Sequence, residues 1–117
     1  MKFIDFLNES EESIADLIKN VEIYISKIYE TNLFVGFNVN KKIKKDDWRK
    51  FIKDLFNDED LYDLVGEIIV NDEGAQFKFE DISDSDLKNI YQIVYNKYDV
   101  EFESSESKKI LNKIIED

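Results

Sequence analysis

Asp58, Glu59, Asp60 and Asp63 place four carboxylates within six residues. Oxygen-rich clusters of this kind can hold a hard cation or supply an acid–base pair. A calcium loop, however, needs acidic residues at alternating positions, a glycine between them and a glutamate closing the loop at its end, and this cluster has none of that spacing. An acid–base pair needs one carboxyl lifted in pKa by an apolar pocket. The chain has neither His nor Cys. Without them the usual neutral-pH base, the thiol nucleophile, the thiolate metal site and the disulfide framework are all excluded. No Gly-rich phosphate loop is present. The expectation is a chain with no catalytic residues, no metal site and no cofactor, in which the acidic cluster is an exposed loop.

The charge layout carries more information than the cluster. Of the 117 residues, 27 are acidic and 16 basic, for a net charge of −11. Residues 1–53 hold 10 basic and 9 acidic residues, a net of +1; residues 54–86 hold 12 acidic residues against Lys78 alone, a net of −11; residues 87–117 hold 5 basic and 6 acidic, a net of −1. The whole net charge therefore lies in one segment, directly after a basic run, Lys41 to Lys53, that holds 7 of the 16 cations. Such a segment can serve solubility alone, or it can form a surface that steers and binds a cationic partner. The residues expected to face such a partner are Asp54, Asp58, Glu59, Asp60, Asp63, Asp72, Glu73, Asp84 and Asp86, with Tyr62 as an amphipathic anchor. Nucleic acid is disfavoured as the main ligand, because counterion release needs clustered cations. Lys41, Lys42, Lys44 and Lys45 are the only candidates for a local phosphate contact, in a run interrupted by Asp46 and Asp47.

The elements that must position these residues follow from periodicity. Ile14, Leu17, Ile18, Val21, Tyr24, Ile25, Ile28 and Tyr29 recur at helical spacing and predict a helix, with Asn8 or Ser10 as cap and Glu11 and Glu12 in its first turn. Leu33, Val35, Phe37 and Val39 alternate and predict a strand. Trp48, Phe51, Ile52, Leu55 and Phe56 predict a helix from Asp46 or Asp47 to about Asn57. Leu61 to Val65 can extend a helical turn before a strand at Glu67–Val70. The cluster Asn71-Asp72-Glu73-Gly74 then turns the chain into a strand carrying Ala75, Phe77 and Phe79. Ser83 caps a helix with Leu87, Ile90, Tyr91, Val94, Tyr95 and Tyr98 on its stripe. A short strand at Val100 and Phe102 and a last helix opened by Ser104 or Ser105 complete the chain. The class is α+β, a ferredoxin-like βαββαβ core with an added N-terminal helix and a C-terminal helix, in one domain over 1–117. No apolar run of about 18 residues exists, so no membrane span is expected. The lack of Cys and of a secretory leader predicts a cytoplasmic location.

Two stretches resemble known families. Leu33-Phe34-Val35-Gly36, followed by a helix, a hairpin and a second helix, resembles the opening of an RNA-recognition-motif domain, in which exposed strand aromatics stack on bases. Phe34 fits the first-strand place, but Gly74 and Gln76 fall where the third-strand aromatics belong, leaving Phe77 and Phe79 on the core face. The opening Met1-Lys2-Phe3-Ile4-Asp5-Phe6-Leu7-Asn8-Glu9-Ser10 resembles the start of small proteins of T-even-type phages. There a prohead protease cuts after Glu in a Leu/Ile-x-Glu motif, which implies processing between Glu9 and Ser10 and makes residues 1–9 a removable or lead-in segment. The packaged proteins of that family are basic, whereas this chain is acidic.

Together these readings predict a non-enzymatic acidic binding protein that docks on a basic surface of a nuclease, defence protein or toxin and inhibits or modulates it. A phage-encoded antagonist acting in the host cytoplasm as a partial DNA mimic fits size, acidity and opening. An immunity protein or antitoxin against a nuclease toxin, and a virion-associated internal or structural protein, are the alternatives.

Overall fold

A computed structural model describes residues 13–116. Their elements run α1 (Ile14–Leu17), β1 (Asn20–Lys27), β2 (Thr31–Asn38), α2 (Lys45–Phe56), α3 (Glu59–Tyr62), β3 (Val65–Asn71), β4 (Gly74–Phe79), α4 (Asp84–Tyr95), β5 (Val100–Phe102) and α5 (Ser105–Glu116). The strands form one mixed sheet in the order β3-β4-β2-β1-β5. The class is α+β, and the elements from β2 to β5 follow the βαββαβ order of a ferredoxin-like core.

The helix expected over 14–29 is the main correction. Only Ile14–Leu17 is helical, and the chain from Asn20 to Lys27 is a strand. Val21, Ile23 and Ile25 point into the core while Glu22, Tyr24 and Ser26 do not, so a period of two operates inside residues that also satisfy a helical spacing. The run is rich in β-branched and aromatic residues, and β1 gains hydrogen-bonded neighbours on both sides, β2 antiparallel and β5 parallel. Tertiary pairing outweighs a helical stripe here. As a result β1 lies between β2 and β5, which would be adjacent in an unmodified split βαβ sheet. The proposed caps Asn8 and Ser10, and the Glu9–Ser10 processing site, lie outside the described residues.

The remaining elements match their sequence signals except at two places: the acidic run expected as a loop carries the short helix α3, and α4 ends at Tyr95, so Tyr98 of its expected stripe lies beyond the helix. All five apolar residues of the α2 stripe are buried, and Asn57 ends the helix in the left-handed conformation, its N–H donating to the Lys53 carbonyl. The Ser83 hydroxyl accepts from the Asp86 N–H at 3.0 Å and caps α4. The core gathers on the helix-covered side of the sheet, with Phe37 touching Trp48, Phe51, Phe77 and Tyr98.

Beyond the three residues of β5, the edge of β1 is closed by α5. The fully buried Ser107 hydroxyl accepts the Ile25 N–H at 2.9 Å, and Ser104 caps the same helix through the Ser107 N–H. Ser107→Ala strands the Ile25 amide in the interior, which costs about 1–3 kcal/mol. Urea unfolding should therefore show a lower midpoint with an unchanged slope.

Candidate functional site

The strand directions place the charged segments. At one end of the sheet, Val65 and Leu33 both pair with Phe79, and the Ile82 N–H donates to the Thr31 carbonyl. The Phe56 and Phe79 rings pack at 5.8 Å, so the C-terminus of α2 and the α3 segment lie at this end too. Asp54, Asp58, Glu59, Asp60 and Asp63 therefore share an end of the molecule with Glu80, Asp81, Asp84 and Asp86. At the opposite end, Asn38, Gly74 and Asn71 form one row, the Val39 N–H donates to the Glu73 carbonyl at 2.7 Å, and Lys41, Lys42, Lys44 and Lys45 follow.

The ten expected partner-facing residues thus separate. Asp72 and Glu73 sit in the β3–β4 turn beside the lysine run, about 20 Å from the rest at ~3.3 Å per strand residue. The other eight gather at the acidic end. Within that group, Asp58 has structural work: its carboxylate accepts the Asp60 N–H at 2.9 Å and the Leu61 N–H at 3.4 Å, capping α3. Asp84 pairs with Lys27 at 3.2 Å across an exposed gap. Tyr62 is half-buried, with the Lys53 ammonium 5.9 Å from its ring. Among the described residues no three carboxylates converge to form a metal site.

The acidic end also carries a feature the sequence reading missed. The β1–β2 turn projects Ile28, 79% exposed, and Tyr29, 100% exposed, from the same end of the sheet. The helical reading had counted both as core. The signal lay in Ser26-Lys27-Ile28-Tyr29-Glu30, a short run between two alternating segments. An exposed aromatic at the same end as a set of carboxylates can bury its ring on a partner while the carboxylates accept hydrogen bonds from the partner's Lys and Arg.

No family model, curated protein or solved structure matches this chain.

The sheet face turned away from the helices is a second surface. Phe34 lies there beside Tyr24, ring centroids 5.6 Å apart, with the Lys78 ammonium 5.7 Å from the Phe34 ring. The Glu80 carboxylate accepts from Lys78 at 2.9 Å, and this hydrogen bond and charge hold the lysine above its ordinary pKa. Gln76 faces the same way, whereas Phe77 and Phe79 are fully buried. Glu22 and Glu67 share the alternation of this face, so it offers one aromatic pair in an acidic field. No helix among the described residues is long and apolar enough to cross a membrane.

Proposed function

We propose that the chain is a non-enzymatic binding protein that docks through its acidic end on a basic surface of a protein partner and inhibits or modulates it. The observation that supports this most directly is that the β1–β2 tip, with Ile28 79% and Tyr29 100% exposed, lies at the same end of the sheet as the carboxylates of two separate segments, 54–63 and 80–86. An apolar anchor supplies affinity that survives salt, and the rim supplies steering that does not. Clustered carboxylates also occupy the sites a protein uses for phosphates. A nucleic-acid-handling or defence protein is therefore the partner class, met in the cytoplasm, and DNA mimicry by a phage-encoded antagonist is the specific form that the Leu7-Asn8-Glu9-Ser10 opening favours.

Capture from a bacterial lysate on the immobilised chain, read by mass spectrometry against two variants, tests this. Tyr29→Ala removes a side chain with no contact area to lose in the free protein, and should weaken retention of the specific partner roughly 10–100-fold with an unchanged melting curve. Glu59→Lys with Asp60→Lys should weaken it as well, and retention by the native chain should fall as the Debye length shortens from about 10 Å to about 3 Å. Asp58 is avoided because its loss uncaps α3, at about 0.5–2 kcal/mol of stability. Equal retention by both variants would remove the acidic end from consideration.

A further inference from the structure

The outer edge of the sheet at β3 shows what a second copy of the chain would meet. β3 is the terminal strand and pairs only with β4, so the backbone N–H and C=O groups along its other side have no strand partner among the described residues. An edge of this kind is a template for another strand. A bulge between Val65 and Glu67 interrupts the near end, leaving Glu67-Ile68-Ile69-Val70-Asn71 as the regular stretch. That stretch is palindromic in character: polar, apolar, apolar, apolar, polar.

We propose that two copies of the chain pair antiparallel through β3, about a two-fold axis at Ile69, to give a continuous ten-stranded sheet. The two-fold operation sets Ile69 against Ile69 of the second copy, Ile68 against Val70, and Glu67 against Asn71. Every pair matches: the half-exposed Ile69 side chains cover one another, the inner pair extends the apolar layer, and the Glu67 carboxylate meets an amide donor rather than a second carboxylate. A shift of the axis to Ile68 would set Glu67 against Ile69 and lose all three matches. Isologous pairing also follows the rule that a two-fold interface must complement itself.

Charge argues for the same occupant and the same register. Lys45 and Arg49 of α2 line a shallow groove with Tyr62 and Asp63 along Val65, Gly66, Glu67 and Ile68, and its two cations stand against the carboxylates of Asp63 and Glu67. With the axis at Ile69, Asp72 of the second copy falls opposite Gly66 and its Glu73 opposite Val65, beside these two cations. Arg49 is held at rest by Asp46 at 2.9 Å in an exposed pair that costs little to exchange. The turn residues Asp72 and Glu73, stranded far from the acidic end, have a role in this arrangement that they lack in the docking surface.

Sedimentation equilibrium of the full chain, from tens to hundreds of micromolar near physiological salt, tests the pairing. The weight-average mass should climb from the 13.9 kDa of one chain towards twice that value. Ile69→Lys puts two ammonium groups face to face on the axis and should hold the mass at one chain throughout, with an unchanged melting curve at low concentration. Lys45→Glu with Arg49→Glu should raise the dissociation constant about tenfold or more, and adding Asp72→Lys and Glu73→Lys to that chain should restore it. A native chain that stays monomeric leaves the edge to a strand of some other protein and overturns the proposal. So does an Ile69→Lys chain that dimerises like the native one, or a charge swap that fails to restore pairing. Tyr29→Ala lies in the β1–β2 turn, on strands separated from β3 by β4, and should leave this equilibrium unmoved, so the two readings fail separately.

Discussion

Phe37→Ala is expected to destabilise the fold by about 3–5 kcal/mol, the range for a fully buried aromatic cut back to a methyl group. Phe37 is 0% exposed, sits on the central strand β2, and meets Phe51 at 5.2 Å, Phe77 at 5.5 Å, Trp48 at 6.1 Å and Tyr98 at 6.2 Å between ring centroids. Three of these contacts are edge-on, the geometry in which a ring edge meets another ring's electron-rich face. The cluster joins α2, β4 and the segment after α4, so the cavity would open where three segments of the fold meet and could not collapse without moving one of them. Trp48 raises the stakes: its buried indole N–H has no acceptor among the described residues, so its place in the core depends on packing alone. A thermal midpoint lowered by roughly 10–20 °C is the expected reading for a domain of this size. Phe37→Leu keeps most of the apolar volume and loses the ring geometry, and should cost about 1–2 kcal/mol. A Phe37→Ala loss below about 1 kcal/mol would mean that this cluster does not organise the core.

How far these contacts were legible in the sequence depends on the element. Trp48, Phe51, Ile52, Leu55 and Phe56 could satisfy only a helix, because their three- and four-residue spacing has no strand equivalent, and the structure buries all five. Phe77 and Phe79 alternate and could satisfy only a strand. Residues 14–29 satisfy both periods, since Val21 and Ile25 belong to either pattern. What resolves them is pairing with β2 on one side and β5 on the other, a long-range condition that no local window contains. The error had a functional cost: a residue assigned to a helix stripe is taken as core, and Tyr29 is instead the most exposed large side chain of the acidic end.

The acidic segment shows the opposite case. Its charge was fully legible, but contiguity in sequence does not make one surface when the segment contains a hairpin. β3 and β4 carry the chain the full length of the sheet and back, so the turn at Asp72 and Glu73 sits beside Lys41 to Lys45 while both flanks of the segment return to the other end. The folded molecule is polar along its strands, with the turn's two carboxylates at the basic end. The docking surface and the β3 edge therefore recruit different parts of one acidic run.

Gly74→Ala and Gly36→Ala should change stability with opposite signs, although both glycines lie on neighbouring, paired strands. Gly74 has φ 149°, a region closed to L side chains, and a β-carbon there would overlap the Phe37 carbonyl oxygen across the ladder. The dihedral strain alone costs about 1–3 kcal/mol, and relieving the overlap means pushing β4 away from β2 at the row where Asn38 pairs with Gly74. A total near 3 kcal/mol or more follows. Moving that row also disturbs the Val39 N–H bond to Glu73, and with it the turn that presents Asp72 and Glu73. Gly36 meets only the Glu22 carbonyl, at 3.7 Å, an ordinary contact for a β-carbon. Alanine there removes backbone freedom from the unfolded chain without strain in the folded one, so Gly36→Ala should gain about 0.5–1 kcal/mol. Urea midpoints of the two variants against the native chain measure the pair directly. A Gly74→Ala midpoint within error of the native one would show that β4 does not approach β2 so closely at its first residue. That result would also remove the anchored turn on which the Asp72 and Glu73 contacts of the paired sheet depend.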